Sequence, residues 1–193
     1  MHLIGIHGLA QTGKTTAAEL LANRLRAATF AFAEPITKRC AELLNVDHAE
    51  FLSYDKNKKL DITSKQCHAL STNVVTKRTL MQDVGRSFRA VEPRFTIDYL
   101  EQTLAHTPRI KNIIVSDVRL PQEAEWVRAK GGTILHIQRP AAPAAHPDVT
   151  EIPLLIEPYN GDLVIKNDGT AQMYENRLIT LSIDIRAKMS EAA

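Results

Sequence analysis

The sequence lacks the features that would place it in a specialised class. It has two cysteines, Cys40 and Cys67, far apart and outside any CxxC pair. That gives no thiolate metal site and suits a reducing compartment. No apolar run is long enough to span a bilayer. The first residues lack a signal peptide's basic start and small-residue cleavage site, so the expected location is the cytoplasm. Net charge is only +2, and nothing global argues for a nucleic-acid or membrane partner. There are no internal repeats, and the mildly low-complexity stretch Ala141–Ala145 is too short to link two domains. The histidines show no metal-ligand spacing, and no Ser-His-Asp or Cys-His set can be assembled. His7 reads as packed rather than catalytic. What remains is a globular composition over 193 residues, 44% hydrophobic and 24% charged, which fits one domain with a core of its own.

Along the chain, short apolar runs alternate with helical spacings. Strands are expected at Met1–His7, Thr29–Ala33, Asn112–Ser116, Thr133–Gln138 and Asp162–Lys166. Helices are expected at Lys14–Ala28, Ile36–Leu44, Asp47–Tyr54, Leu80–Val91, Thr96–His106 and Pro121–Lys130, and from Thr170 to about Lys188. The remainder of 46–77 reads as irregular, and 140–160, rich in Pro and Ala, as a loop or lid. The alternation predicts an α/β fold with a parallel sheet covered on both faces.

Between the first strand and the first helix lies Gly8-Leu9-Ala10-Gln11-Thr12-Gly13-Lys14-Thr15, the pattern GxxxxGK[ST]. Its glycines let the backbone wrap so that successive N–H groups point at phosphate oxygens, and the helix adds its positive N-terminal end. Lys14 is placed to put a charge on the outer phosphates, and the Thr15 hydroxyl to ligate magnesium. A nucleoside triphosphate is the expected ligand, with contacts from Gly8, Ala10, Gln11, Thr12, Gly13, Lys14, Thr15 and Thr16.

Asp117 closes the apolar run Ile113–Ser116, and ligands of open parallel sheets bind beyond such strand ends. An acid there either holds magnesium near the phosphates or caps the following helix. Arg119, two residues on, can meet a phosphate bidentately. Phosphoryl transfer also needs positive charge for a second phosphate. Candidates are Lys38, Arg39, Arg78, Arg86, Arg89, Arg119 and Arg139. Arg78, Gln82, Arg86 and Arg89 recur at helical spacing and fall on one helix face, which is equally the pattern of a solvated surface. Glu34, after the second strand, either contacts a sugar, a magnesium shell or an arginine, or caps the next helix.

With the phosphate loop, four stretches carry a family resemblance: Phe32-Ala33-Glu34-Pro35-Ile36, Leu80-Met81-Gln82-Asp83-Val84-Gly85-Arg86, Val115-Ser116-Asp117-Val118-Arg119-Leu120-Pro121-Gln122-Glu123-Ala124-Glu125 with Gly131-Gly132 and Arg139-Pro140, and Asp162–Thr170. They resemble the deoxynucleoside monophosphate kinases of tailed bacteriophages and their bacterial relatives, within the P-loop nucleoside monophosphate kinase-like group. The resemblance implies a three-layer P-loop NTPase fold, with a five-stranded parallel sheet flanked by helices. It implies one domain over 1–193, a nucleotide-monophosphate-binding region at 46–107 and a lid at 140–160. The implied reaction moves the ATP γ-phosphate to a deoxynucleoside monophosphate, with magnesium. Lys14, Asp117 and Arg119 are the implied catalytic set, and Thr15 and Asp117 the metal ligands. Glu34, Lys38, Arg78, Gln82, Arg86, Arg89, Arg119, Arg139 and Glu151 are expected at the acceptor or the transferring phosphate, with His146 beside Glu151 in the lid. Glu34 stands where the family usually has Asp, and Thr37 where it has Lys. Partners would be small-molecule nucleotides, the state a monomer or homodimer, and the location host cytoplasm if phage-encoded. Two other readings stay open: a small P-loop kinase for an acceptor such as phosphomevalonate, and a nucleotide-binding regulatory protein that transfers nothing.

Overall fold

The computed structural model describes residues 2–60, 75–140 and 156–191. Its elements are β1 (His2–His7), α1 (Lys14–Leu25), β2 (Ala28–Phe30), α2 (Glu34–Leu44), α3 (His48–Ser53), α4 (Lys77–Val91), α5 (Phe95–Ala105), β3 (Asn112–Val118), α6 (Pro121–Ala129), β4 (Thr133–Gln138), β5 (Leu163–Lys166) and α7 (Ala171–Glu191). They fall into two compact units, one of Met1–Phe32 with Leu100–Ala193 and the other of Ala33–Tyr99.

The first unit is built on a five-stranded parallel sheet in the order β2-β3-β1-β4-β5, flanked by helices in the three-layer arrangement expected from the sequence. Alternation along the strands decides what each sheet face meets. Ile4 and Ile6 of β1 join Ile114, Leu135, Ile137 and Ile165 in one cluster with Ala17, Ala18 and Leu21 of α1 and Tyr174 and Leu178 of α7. Each fully buried leucine or isoleucine there contributes about 1.5–3 kcal/mol. Gly5 points the opposite way, toward α6. A Cβ on it would come within 2.8 Å of side-chain atoms of Ile134 and Val118 and 3.2 Å of Val127, so the close seating of α6 needs a residue without one.

The second unit packs α2, α3 and α4 around Ile36, Cys40, Ala41, Leu44, Phe51, Leu80 and Val84. Burial pushes the Cys40 thiol up to about 12. Lys77 is buried as well and donates to the carbonyls of Leu52 (2.7 Å) and Tyr54 (3.2 Å) at the C-terminal end of α3. Its ammonium lies 5.1 Å from the centre of the Phe51 ring. Desolvation lowers its pKa.

Several boundaries differ from expectation, and for the following ones the reason is local. Helix α1 stops at Leu25, short of Ala28, because Arg26 takes a left-handed φ of 49° and turns its N–H back onto Ala22 and Asn23. Strand β2 covers Ala28–Phe30 rather than Thr29–Ala33, its pairing with β3 ending at Phe30 and Val115. Helix α4 begins at Lys77, not Leu80. Thr76 and Thr79 form a reciprocal cap, each hydroxyl accepting the other's backbone N–H at 3.1 and 2.9 Å. A threonine in the place usual for Glu or Gln hides this start from sequence patterns. Among the described residues, no helix is long and apolar enough to cross a membrane.

Candidate functional site

The phosphate loop leaves β1, the middle strand of the sheet, and runs into α1. Gln11 and Gly13 both have left-handed backbone, with φ of 62° and 101°. Turns of this kind aim consecutive N–H groups into one concavity. Lys14 lies along the loop and donates to the carbonyl of Gly8 at 2.7 Å and to that of Leu9. The buried Thr12 hydroxyl donates to Leu9 at 2.9 Å. Thr15 and Thr16 are exposed on the first turn of α1. Three further carbonyls of the loop accept from side chains elsewhere in the unit. Gln11 accepts from Arg139 Nη1 (2.9 Å), Thr12 from Asn167 Nδ2 (2.9 Å) and Gly13 from Tyr174 Oη (3.1 Å).

Asp117 is inside β3 rather than after it, since the strand runs on to Val118. The pairing of β1 with β3 steps from Gly5↔Val115 to His7↔Val118, so β3 carries one extra residue at Ser116–Asp117. Such a bulge re-aims side chains next to functional sites. Asp117 Oδ1 accepts the Phe32 N–H at 2.7 Å, two residues beyond the end of β2. At the start of α6, Glu123 Oε2 accepts the N–H groups of Arg119 (2.9 Å) and Leu120 (3.0 Å), the return half of a capping box. The same bonds anchor the backbone of the half-buried Arg119 directly after β3. His7 is packed, as expected. Its Nδ1–H donates to the Val118 carbonyl at 2.9 Å, and its ring meets His136 edge-on at 5.3 Å. His136 Nε2 reaches Asp162 Oδ2 at 3.2 Å. Burial opposes the charge on Asp162, but bonds from Arg128, the Tyr159 N–H, His136 and the Ile134 N–H outweigh it and hold the carboxyl at about 2.

The remaining candidates lie in the second unit. Glu34 opens α2 and does not cap it through its side chain. It pairs with Lys38 at 2.8 Å. Tyr99, which no sequence pattern singled out, closes a triangle with them. Its hydroxyl donates to Glu34 Oε1 (3.3 Å) and accepts from Lys38 Nζ (2.6 Å). Those two partners hold the lysine well above its usual range. Thr37, in the place of the family's lysine, is buried. Its hydroxyl donates to the Glu34 carbonyl and accepts from His48 Nε2, both at 2.8 Å. The basic side chains that α2 presents outward are therefore Lys38 and Arg39, and Arg39 pairs with Glu42 at 2.6 Å. On α4, Lys77, Leu80 and Val84 form the buried stripe, and Arg78, Gln82, Arg86 and Arg89 fall together on the adjoining face. Arg78 Nε reaches Asn57 Oδ1 at 3.1 Å, and the exposed Arg86 pairs with Asp83 at 3.3 Å. The guanidinium of Arg89 lies against Gly85. Glu151 and His146 lie outside the described residues. Among the described residues, no group of three or more His, Cys, Asp or Glu is placed to hold a metal. The Thr15 hydroxyl and Asp117 carboxylate are hard oxygen donors of the kind magnesium takes.

Residues 40–178 match the family model described as deoxynucleotide monophosphate kinase. The chain is 23% identical over 230 residues to the deoxynucleotide monophosphate kinase of Enterobacteria phage T4, covering 89% of this chain and 95% of that protein. It is 29% identical over 202 residues to a protein of Acanthamoeba polyphaga mimivirus provisionally given the same name, covering 93% and 95%. Among solved structures, it resembles a dephospho-CoA kinase from Campylobacter jejuni (TM-score 0.50, 13% identity, 96% and 98% of the chains). It also resembles a gluconokinase from Sinorhizobium meliloti 1021 (TM-score 0.50, 8% identity, 100% and 97%). At these identities the structural likenesses show the fold alone.

Proposed function

The chain belongs to the deoxynucleotide monophosphate kinase family, and from that premise we propose that it transfers the γ-phosphate of ATP to a deoxynucleoside monophosphate. It is a P-loop kinase, a phosphotransferase that moves phosphate from a nucleotide donor to a small-molecule acceptor. The observation that carries the finer reading is the loop at Gly8–Thr15 on the middle strand, with Asp117 and Arg119 at the end of the strand beside it. In this reading the loop N–H groups and Lys14 hold the β- and γ-phosphates of ATP. Thr15 and Asp117 would hold magnesium, which supplies charge neutralisation when bound. An oxygen of the acceptor's phosphate forms the new bond to the γ-phosphorus, the bond from that phosphorus to the β–γ bridging oxygen breaks, and ADP leaves. Arg119 stabilises the charge spread over the transferring group. Arg139, beside the loop, is a second cation for those phosphates.

The acceptor is assigned to Glu34, Lys38, Arg78, Gln82, Arg86 and Arg89, with Glu151 of the lid segment. The basic side chains suit a phosphate, and Glu34 and Gln82 suit the hydroxyl and amide groups of a nucleoside. A coupled ADP-release assay over the four deoxynucleoside monophosphates and their ribonucleotide counterparts tests this, with mevalonate phosphate as a non-nucleotide control. Acceptor-dependent ADP from at least one deoxynucleotide is expected. If no monophosphate raises ADP above background, the proposal fails.

A further inference from the structure

We infer that Asn167 and Tyr174 are positioning residues for phosphate binding: each grips a carbonyl of the loop from outside and so keeps the loop's N–H groups facing in. The inference rests on the loop's role as the donor site and adds to it two residues that act through the loop's carbonyls.

In a loop whose N–H groups converge on an anion, the carbonyls of the same peptides must point away. A flipped peptide removes one donor from the cradle and turns a carbonyl oxygen toward the phosphate. A carbonyl engaged from behind resists that flip. Asn167 engages the Thr12 carbonyl at 2.9 Å, which orients the peptide carrying the Gly13 N–H. Tyr174 engages the Gly13 carbonyl at 3.1 Å, which orients the peptide carrying the Lys14 N–H. The Gly13 carbonyl also accepts the Ala17 N–H at 3.0 Å as the first turn of α1 forms.

A second observation is independent of these bonds. A Cβ placed on Gly13 would lie 2.8 Å from Tyr174 Cε1 and 2.9 Å from Asn167 Nδ2. The same two side chains that hold the carbonyls also close the space beside this α-carbon. In this protein, therefore, they give the second glycine of the pattern part of its necessity, beyond its left-handed φ of 101°.

Both residues are themselves held. The Asn167 N–H continues the β4–β5 ladder by donating to the Gln138 carbonyl at 2.7 Å. Arg177 ties the following turn by donating to the Lys166 carbonyl and to Asp168. Tyr174 is buried among the residues that join α1 to α7, and burial pushes its hydroxyl up to about 12, so it stays a donor across the working range.

The test compares the full-length chain with Tyr174→Phe, which removes one hydroxyl, and Asn167→Ala. Gln172→Ala is the control, since that exposed side chain donates to the exposed Asn176 at 3.1 Å and makes no hydrogen bond to the loop. Binding of Mg-ATP and of inorganic tripolyphosphate is measured by calorimetry, with thermal unfolding alongside. Tripolyphosphate has no base or sugar, so it reports on the phosphate cradle alone. Each substitution is expected to weaken both ligands by the same factor, about three- to tenfold. The control and the unfolding temperature of Tyr174→Phe should not move. The inference is overturned if the variants bind tripolyphosphate as the parent does while ATP weakens, because the two residues would then serve the base. It is also overturned if the parent binds neither ligand. A parent that binds both ligands but transfers nothing to any monophosphate would overturn the kinase reading and leave this inference standing.

Discussion

The phosphate loop and the basic face of α4 are both suited to phosphate, and they are built in opposite ways. The loop presents backbone, and its carbonyls are gripped by Arg139, Asn167 and Tyr174, two of which the surrounding fold holds in turn. The α4 face presents long side chains, partly or fully exposed, whose charges meet local partners such as Asp83 and Asn57. A backbone cradle costs little entropy to occupy because its geometry exists before the ligand arrives. Flexible arginines must be ordered at the moment of binding, at about 1.5–2 kcal/mol for each side chain fully fixed. Rigid backbone suits a triphosphate, which is the same in every donor molecule. In the proposed reading, adjustable side chains suit an acceptor that must be selected.

Substitutions can break this contrast. The largest effect is expected for Lys14→Ala, which removes the loop's one side-chain charge. Turnover should fall about a hundred- to a thousandfold in the coupled assay. A fall under tenfold would show that the backbone alone carries the donor site. Next comes Asp162→Asn, which leaves Arg128 and His136 facing a neutral group in a buried position. Thermal unfolding should show a loss of about 3 kcal/mol or more. The pH dependence has a definite sign. The folded carboxyl titrates at about 2, below its ordinary 3.8, so its stabilisation is complete above about pH 4 and is lost as pH falls toward 2. The parent should lose stability across that window, and the variant should lack that component.

Arg119→Ala should come third. Turnover is expected to drop about thirty- to a hundredfold while ATP affinity changes less than threefold. Equal losses in both would move Arg119 from the transferring phosphate to the donor. The mildest effect is expected for Tyr99→Phe, which releases the Glu34–Lys38 pair from one shared hydroxyl. KM for the acceptor should rise about threefold to tenfold with KM for ATP unchanged. A rise in the ATP constant instead would erase the contrast between the two regions.

What the sequence determined by itself is local. The spacing from Gly8 to Thr15 specifies the loop because its chemistry is that of consecutive backbone groups. The alternation of apolar runs and helical periods specifies the parallel sheet. The one-face arrangement of Arg78, Gln82, Arg86 and Arg89 follows from 3.6 residues per turn. The tertiary structure decided whatever depends on residues distant in the chain. Asp117 occupies a bulge inside β3, visible only once β1 and β3 are in register, and Glu123 ties the backbone before α6, a role no local pattern had given it. Thr37 turns inward and Lys38 outward because α2 must bury Ile36, Cys40 and Ala41. Asn167 and Tyr174 meet the loop across more than 150 positions of sequence because the order β2-β3-β1-β4-β5 gathers the carboxyl ends of the strands on one edge. Periodicity and motif spacing describe neighbours along the chain. The donors that orient a loop's carbonyls come from wherever the sheet order brings them, and no local pattern records that order.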